Sequence, residues 1–196
     1  MGILRVDHPD ILDFIISKDN NEKLTNFNIS VGVTETFMRA VENDDEYEII
    51  NPRTKEVVDR YRAKEVFAKI VQHAWKNGDP GIIFLDRLNK DNPTPNLGQI
   101  ESTNPCGEQP LLSYEACNLG SINLAHMVKE EEGIKKVDYD KLKRIVHTAV
   151  RFLDDVIDMS RYPLGKIMKM ARGTRKMRKK KHKKMLKKTR WQRRNK

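Results

Sequence analysis

Apolar positions along the chain alternate between strand-like runs and helix-like spacing. Residues 3–6 and 26–33 predict two strands, the second half-buried because its apolar residues alternate with polar ones. Apolar side chains recur on one helical face in residues 11–16, 66–74 and 138–160. Strands that alternate with helices indicate an α/β fold with a mostly parallel sheet.

End signals define the neighbouring elements. Thr34 is a good N-cap residue for a short helix through Val41, and Gly78 is typical of the residue that ends a helix. Residues 47–50 predict another short strand before Asn51-Pro52. These signals agree with the alternation of strands and helices.

One long stretch interrupts the alternation. Residues 82–85 form a continuous apolar run, which predicts a strand buried on both faces, and residues 117–124 predict a further strand. Between them, residues 86–113 contain four prolines and two glycines and show no regular pattern. Loops of this length in compact domains are commonly functional, so we expect the chemistry of the chain here.

The net charge of +10 is unevenly distributed. Residues 165–196 contain 17 Lys or Arg and no acidic residue, which leaves residues 1–164 acidic overall. We therefore expect a folded domain over residues 1–164 and a Lys/Arg-rich tail over residues 165–196, either helical or disordered. The tail, rather than the domain, carries the basic character.

Several classes of protein are disfavoured by the composition. No apolar run approaches the length of about 18 residues that a membrane-spanning helix needs. The N-terminus lacks the pattern of a secretory signal. Two cysteines are too few for a disulfide framework. We expect a cytoplasmic protein with no membrane partner.

Three polar side chains of the long segment suggest a reactive site. Asn104, Cys106 and Glu108 are each separated by one residue, and in an extended turn this spacing directs them the same way. A thiol suits nucleophilic or radical chemistry, a carboxylate suits proton transfer, and an amide orients a substrate hydroxyl. From spacing alone, a single loop cysteine such as Cys106 is more often a bystander thiol than a nucleophile.

The second cysteine has simpler interpretations. Cys117 alone is explained as a small buried apolar residue. A zinc site formed with Cys106 would need two more ligands, and His126 and His147 lie at no familiar interval.

Residues 101–124 closely resemble the finger-loop region of adenosylcobalamin-dependent (class II) ribonucleotide reductases, with Asn104-Pro-Cys-Gly-Glu at their centre. Four further stretches resemble the same family in the same order, namely residues 1–10, 24–31, 78–87 and 151–158. The resemblance covers residues 1–164 and identifies the chain as a central piece of the catalytic barrel of such an enzyme.

The resemblance implies a ten-stranded α/β barrel made of two half-barrels, with a finger loop at about residues 86–116 through its centre. Cys106 would be the thiyl radical site that abstracts the 3′ hydrogen of a ribonucleotide. Glu108 would accept the proton of the 3′-hydroxyl, and Asn104 would hydrogen-bond the substrate. Cys117 would be one of the two cysteines that supply the reducing electrons.

The resemblance also implies partners. Adenosylcobalamin would be the source of the radical, a ribonucleoside di- or triphosphate the substrate, and an external dithiol the reductant. The cysteine that pairs with Cys117 in the family and the later barrel strands have no counterpart in this sequence. We therefore expect activity only together with other reductase segments, and a second copy of the chain is a further candidate partner.

A hypothesis of a different class concerns residues 165–196, which depart from the family pattern. Their 17 cations would bind nucleic acid weakly, with Trp191 available to stack on a base. An accidental extension past a break in the reading frame is the simpler explanation of this composition.

Overall fold

The computed structural model describes residues 1–20 and 24–173, and the statements below concern those residues. The chain divides into two compact units, Met1–Ser113 and Tyr114–Lys196, which are considered separately. The first unit contains β1 (Gly2–Arg5), α1 (Ile11–Ile16), β2 (Ile29–Val33), α2 (Glu35–Asn43), β3 (Glu46–Ile50), β4 (Val57–Arg62), α3 (Ala63–Asn77), β5 (Gly81–Phe84), α4 (Leu85–Lys90), β6 (Ile100–Thr103) and β7 (Pro110–Leu112).

A parallel sheet in the order β1-β2-β5 forms the centre of this unit, with Val31 of β2 paired to Leu4 and Ile82. The predicted parallel sheet is therefore confirmed for three strands. All five residues of β2 are buried, so the expectation of a half-buried strand is wrong. A Cβ atom at Gly32 would lie 2.7 Å from Cδ1 of Leu85, which shows that a side chain packs against the small-residue face of β2.

The core is formed by apolar side chains of the sheet and of α1, α2, α3 and β3. The rings of Phe37 and Tyr47 meet edge to face at 4.8 Å, and the Tyr47 hydroxyl donates to the carbonyl of Val6 at 3.1 Å. Burial raises the pKa of the Tyr47 hydroxyl. The buried cluster consists of Val6, Ile11, Ile15, Val31, Val33, Phe37, Ala40, Tyr47, Ile49, Ala63, Val66 and Ile70.

The predicted ends of two helices are confirmed. The Thr34 hydroxyl accepts a hydrogen bond from the backbone N–H of Phe37 at 3.2 Å, which caps α2. Gly78 follows α3 in the left-handed conformation and donates its backbone N–H to Ala74. Both hydrogen bonds join residues three or four positions apart, so the helix ends can be predicted from the neighbouring sequence.

One expectation about strands in the first unit needs correction, and one strand was not predicted. The apolar run at residues 82–85 is not a strand buried on both faces. Its strand ends at Phe84, Leu85 begins α4, and the residues of β5 are half-buried or exposed. The sequence also gave no sign of β4, which pairs antiparallel with β3 while Val57 and Val58 remain exposed.

The stretch over residues 86–113 is more ordered than expected. It contains most of α4 and the antiparallel hairpin of β6 and β7. The side chain of Asn89 joins them: its Nδ2 donates to the carbonyl of Ile100 at 2.9 Å, and its Oδ1 accepts from the N–H of Ile100 at 2.7 Å. The Asn89 side chain thus bonds both main-chain groups of Ile100, as a neighbouring strand would.

The second unit contains β8 (Val128–Glu131) paired with β9 (Ile134–Val137), followed by α5 (Tyr139–Met159). The predicted long helix is confirmed, with Asp138 accepting from the N–H of Lys141 at 2.9 Å. Residues 117–124 do not form a strand, so that prediction is wrong. Asn118 instead donates its side-chain N–H to the carbonyl of Leu153 on α5 at 2.8 Å.

The described residues therefore form a mixed α/β structure in which the barrel is not closed. Residues 165–173 are helical, and the rest of the predicted tail lies outside the described residues. Among the helices that the structure describes, none is long and apolar enough to cross a membrane.

Candidate active site

The candidate residues Asn104, Cys106 and Glu108 lie in the turn that joins β6 to β7. Strand pairing brings Thr103 opposite Pro110, so residues 104–109 form the short loop between the two strands. The backbone N–H of Asn104 donates to the carbonyl of Gln109 at 3.1 Å. In return, the N–H of Gln109 donates to Oδ1 of Asn104 at 3.0 Å. The main chain and side chain of Asn104 together close the turn.

A tighter turn lies inside this closure. The N–H of Gly107 donates to the carbonyl of Asn104 at 3.0 Å, and Gly107 has a φ of +81°. Asn, Pro and Gly at the first, second and fourth positions are the residues that a type I turn prefers, and glycine tolerates this φ without strain. The sequence thus places Cys106 at the third position, at the tip of the turn.

The three candidate side chains differ in exposure. Cys106 and Glu108 are exposed, whereas Asn104 is only 8 % exposed and its amide oxygen is engaged within the hairpin. Asn104 therefore departs from the common orientation expected from the spacing. The structure assigns Asn104 a role in shaping the turn, and it leaves the thiol of Cys106 and the carboxylate of Glu108 accessible.

Residues that the sequence did not single out also contact the turn. Nδ2 of Asn28, the residue before β2, donates to the carbonyl of Pro105 at 3.1 Å. The hydroxyl of Thr103 donates to the carbonyl of Asn104 at 2.9 Å. No periodicity or spacing links Asn28 to residue 105, so its contribution was not visible in the sequence.

The remaining candidate, Cys117, lies in the second unit and is exposed. Its interpretation as a buried apolar residue is therefore wrong. Within residues 1–20 and 24–173, no group of three or more His, Cys, Asp or Glu side chains could hold a metal ion.

The first unit thus combines a three-stranded parallel sheet with an ordered hairpin whose turn exposes the thiol of Cys106. The chain belongs to the family of the ribonucleotide reductase barrel domain, whose model matches residues 1–178. The match continues past Leu164, where the resemblance seen in the sequence ended.

Named relatives agree with this family. The vitamin B12-dependent ribonucleoside-diphosphate reductase of Thermoplasma acidophilum is 56 % identical over 178 residues, which are 90 % of this chain and 23 % of the relative. The protein of the same name from Mycobacterium tuberculosis H37Rv is 52 % identical over 178 residues, 90 % of this chain and 25 % of the relative. The vitamin B12-dependent ribonucleotide reductase of Streptomyces coelicolor is 32 % identical over 201 residues, 90 % of this chain and 21 % of the relative. The chain spans about a quarter of the length of these curated relatives.

Proposed function

We propose that this chain supplies the radical-bearing turn, and part of the surrounding ten-stranded barrel, of a vitamin B12-dependent ribonucleotide reductase. The observation that carries the proposal is the exposed thiol of Cys106 on a turn closed by Asn104, in a chain 56 % identical to the Thermoplasma acidophilum reductase. The reaction would convert ribonucleotides to deoxyribonucleotides. Other segments of the enzyme would complete the barrel.

Each candidate residue has a chemical role in this proposal, and that of Asn104 is to donate a hydrogen bond to a substrate hydroxyl. The Cys106 sulfur, once oxidised to a thiyl radical, would take the hydrogen atom from C3′ of the ribose. Glu108 would accept the 3′-hydroxyl proton while the 2′-hydroxyl leaves as water. Cys117 would be one of two thiols that give up two electrons and two protons and become a disulfide. An external dithiol would then reduce that disulfide.

Adenosylcobalamin would supply, when bound, the radical that oxidises Cys106. The exposure of the Cys106 thiol fits contact with a group held outside this chain. Among the described residues, none is assigned to holding the cofactor. The role of the chain toward the cofactor is to present the thiol on an ordered turn.

The names of two relatives favour one substrate class. The relatives that are 56 % and 52 % identical are both named ribonucleoside-diphosphate reductases. A ribonucleoside diphosphate is therefore the proposed substrate. A direct comparison of diphosphate and triphosphate turnover by the assembled enzyme would test this choice.

The proposed function is tested by complementation. The 196-residue chain is assayed with adenosylcobalamin, a dithiol and ribonucleoside diphosphates, first alone and then with the remaining segments of a closely related reductase. We expect no product from the chain alone and turnover from the mixture. Turnover by the isolated chain would contradict the need for other segments.

Variants of the two cysteines separate their roles. In the active mixture, Cys106→Ser should abolish both product and the release of tritium from C3′ of labelled substrate. Cys117→Ser should abolish deoxyribonucleotide formation while tritium release continues, because hydrogen abstraction precedes reduction. Product formation by the Cys106→Ser variant would refute the radical assignment.

Binding of nucleic acid by the basic tail is a second candidate, favoured by 17 Lys or Arg in residues 165–196. Because the family match reaches residue 178, this hypothesis concerns mainly residues 179–196, which hold 11 of those cations. Binding would weaken steeply as salt rises, since each phosphate contact releases a counterion. Affinity for single-stranded DNA that stays constant between low and high salt would refute it.

A further inference from the structure

Asn28 connects the central sheet to the turn that carries Cys106. It directly precedes β2, and its backbone carbonyl accepts a hydrogen bond from the N–H of Gly2 at 2.9 Å. Its side-chain Nδ2 donates to the carbonyl of Pro105 at 3.1 Å, across 77 positions of sequence. Because pairing with β1 fixes the main chain of Asn28, the bond to Pro105 joins the turn to the sheet.

The bond acts on the peptide group next to the reactive residue. The carbonyl of Pro105 belongs to the peptide unit whose nitrogen is that of Cys106. A peptide unit is planar, so fixing its oxygen fixes the direction in which the chain enters Cys106. The bonds of Asn104 to Gln109 and Gly107 act differently, because they set the shape of the turn from within.

We propose that Asn28 is a positioning residue for Cys106, an inference that rests on the proposed function and goes beyond it. The Asn28 amide holds the Cys106 sulfur at a fixed distance from the substrate ribose. Hydrogen abstraction depends steeply on that distance, since a displacement of about 1 Å in a reacting geometry costs up to about 100-fold in rate. Loss of one exposed hydrogen bond allows a smaller displacement, and we expect a decrease of about tenfold.

The kinetic test uses the active mixture of this chain with the remaining reductase segments. Asn28→Ala should lower kcat about tenfold and leave KM within about twofold, because Asn28 contacts the turn and not the substrate. Asn28→Asp has the same size but no N–H donor and should behave like Asn28→Ala. Asn28→Gln keeps the donor and should recover part of the lost kcat.

Asn51→Ala is the matched control. Asn51 is also an asparagine that stabilises an exposed turn, through Oδ1 and the N–H of Arg53 at 2.9 Å, but that turn follows β3. We expect kcat of the Asn51→Ala mixture to match that of the unmodified chain. Equal losses of kcat in Asn28→Ala and Asn51→Ala would overturn the proposal, since they would reflect general destabilisation.

A second measurement is independent of catalysis. Amide hydrogen exchange in the 196-residue chain reports opening of the turn at Gly107 and Gln109, whose N–H groups are bonded to Asn104. Asn28→Ala should speed exchange at both amides by about threefold or more, and Asn51→Ala should leave it unchanged. Unchanged exchange in Asn28→Ala would show that the hydrogen bond from Asn28 to Pro105 does not hold the turn, and it would overturn the inference.

The two measurements together distinguish the possible failures. Faster exchange with an unchanged kcat would overturn the positioning role of Asn28 while the proposed function stands. Product formation by the Cys106→Ser mixture would instead refute the proposed function, whatever the exchange rates of the turn. Faster exchange with a lower kcat and an unchanged KM supports the positioning role.

Discussion

The ammonium nitrogen of Lys18 lies 2.7 Å from Oδ2 of Asp79, although the two residues are separated by 61 positions. Lys18 is only 8 % exposed, and the ion pair with Asp79 is part-buried. The other carboxylate oxygen of Asp79 faces the N–H of Ile29 at 3.4 Å. Asp79 thus links the segment after α1, the start of β2 and the approach to β5.

We expect Asp79→Ala to lower the free energy of unfolding by about 2–3 kcal/mol, because it leaves the ammonium of Lys18 buried without a partner. Arg39→Ala is the matched control: it removes an exposed pair with Glu35 at 3.6 Å, and we expect a change below about 0.5 kcal/mol. Chemical denaturation of both variants measures the difference. Similar losses in the two variants would contradict a special role of the Lys18 pair.

Asn104 has both an observed and a proposed role, and two substitutions separate them. Asn104→Ala removes the acceptor for the N–H of Gln109 and should cost about 1 kcal/mol of stability together with most of the activity. Asn104→Asp keeps an oxygen acceptor, so stability should remain within about 0.5 kcal/mol. Its kcat in the complemented mixture should still fall about tenfold, because a carboxylate donates no N–H to a substrate hydroxyl. Full activity of Asn104→Asp would limit Asn104 to shaping the turn.

Asp19 should make stability depend on pH in the acidic range. The ammonium of Lys76, at 3.1 Å, holds the pKa of the Asp19 carboxyl below its ordinary value of 3.8; burial opposes this effect and His73 adds to it. A carboxyl whose pKa is lowered on folding stabilises the folded state above the unfolded pKa. The advantage of the parent chain over Asp19→Asn should therefore be complete above about pH 5 and should disappear as the pH falls through 3.8 and below.

Denaturation of the parent chain and of Asp19→Asn across this range measures the effect. Lys76→Gln provides the control, because removing the main partner of Asp19 should reduce the pH-dependent difference. A difference that persists unchanged at pH 2 would contradict the assignment to Asp19.

Substitutions of a buried and of an exposed phenylalanine should differ in their cost to the free energy of unfolding. Phe152 on α5 is 66 % exposed, whereas Phe37 in the core of the first unit is 1 % exposed. In the isolated chain, Phe37→Ala should cost about 3–5 kcal/mol of unfolding free energy, and Phe152→Ala less than about 0.5 kcal/mol. Unfolding of each variant by denaturant provides the measurement. A large loss in Phe152→Ala would show that α5 is packed more closely than its exposure indicates.

The sequence predicted the elements whose signals are local. α1, α2, α3 and α5 were visible because their apolar spacing and end residues, such as Thr34 and Gly78, act within a few positions. The hairpin of β8 and β9 was missed because all of its residues are exposed, so they carry no alternation of buried and exposed positions.

The candidate site was predictable in part for the same reason. The Asn-Pro-Cys-Gly segment specifies its own turn, so the position of Cys106 followed from neighbouring residues. The inward orientation of Asn104 depends on the register of β6 and β7, and the contact of Asn28 depends on the fold of the whole first unit. Interactions across such distances leave no periodic pattern in a single sequence.

The turn that Asn104 closes becomes ordered when the chain folds, before any ligand binds. Its hydrogen bonds join protein groups to one another, so the conformational entropy of residues 104–109 is lost when the chain folds. A ligand that meets Cys106 therefore encounters a preorganised loop. The free energy of that encounter remains available for orienting the ligand, because none of it is needed to arrange the peptide that bears the sulfur.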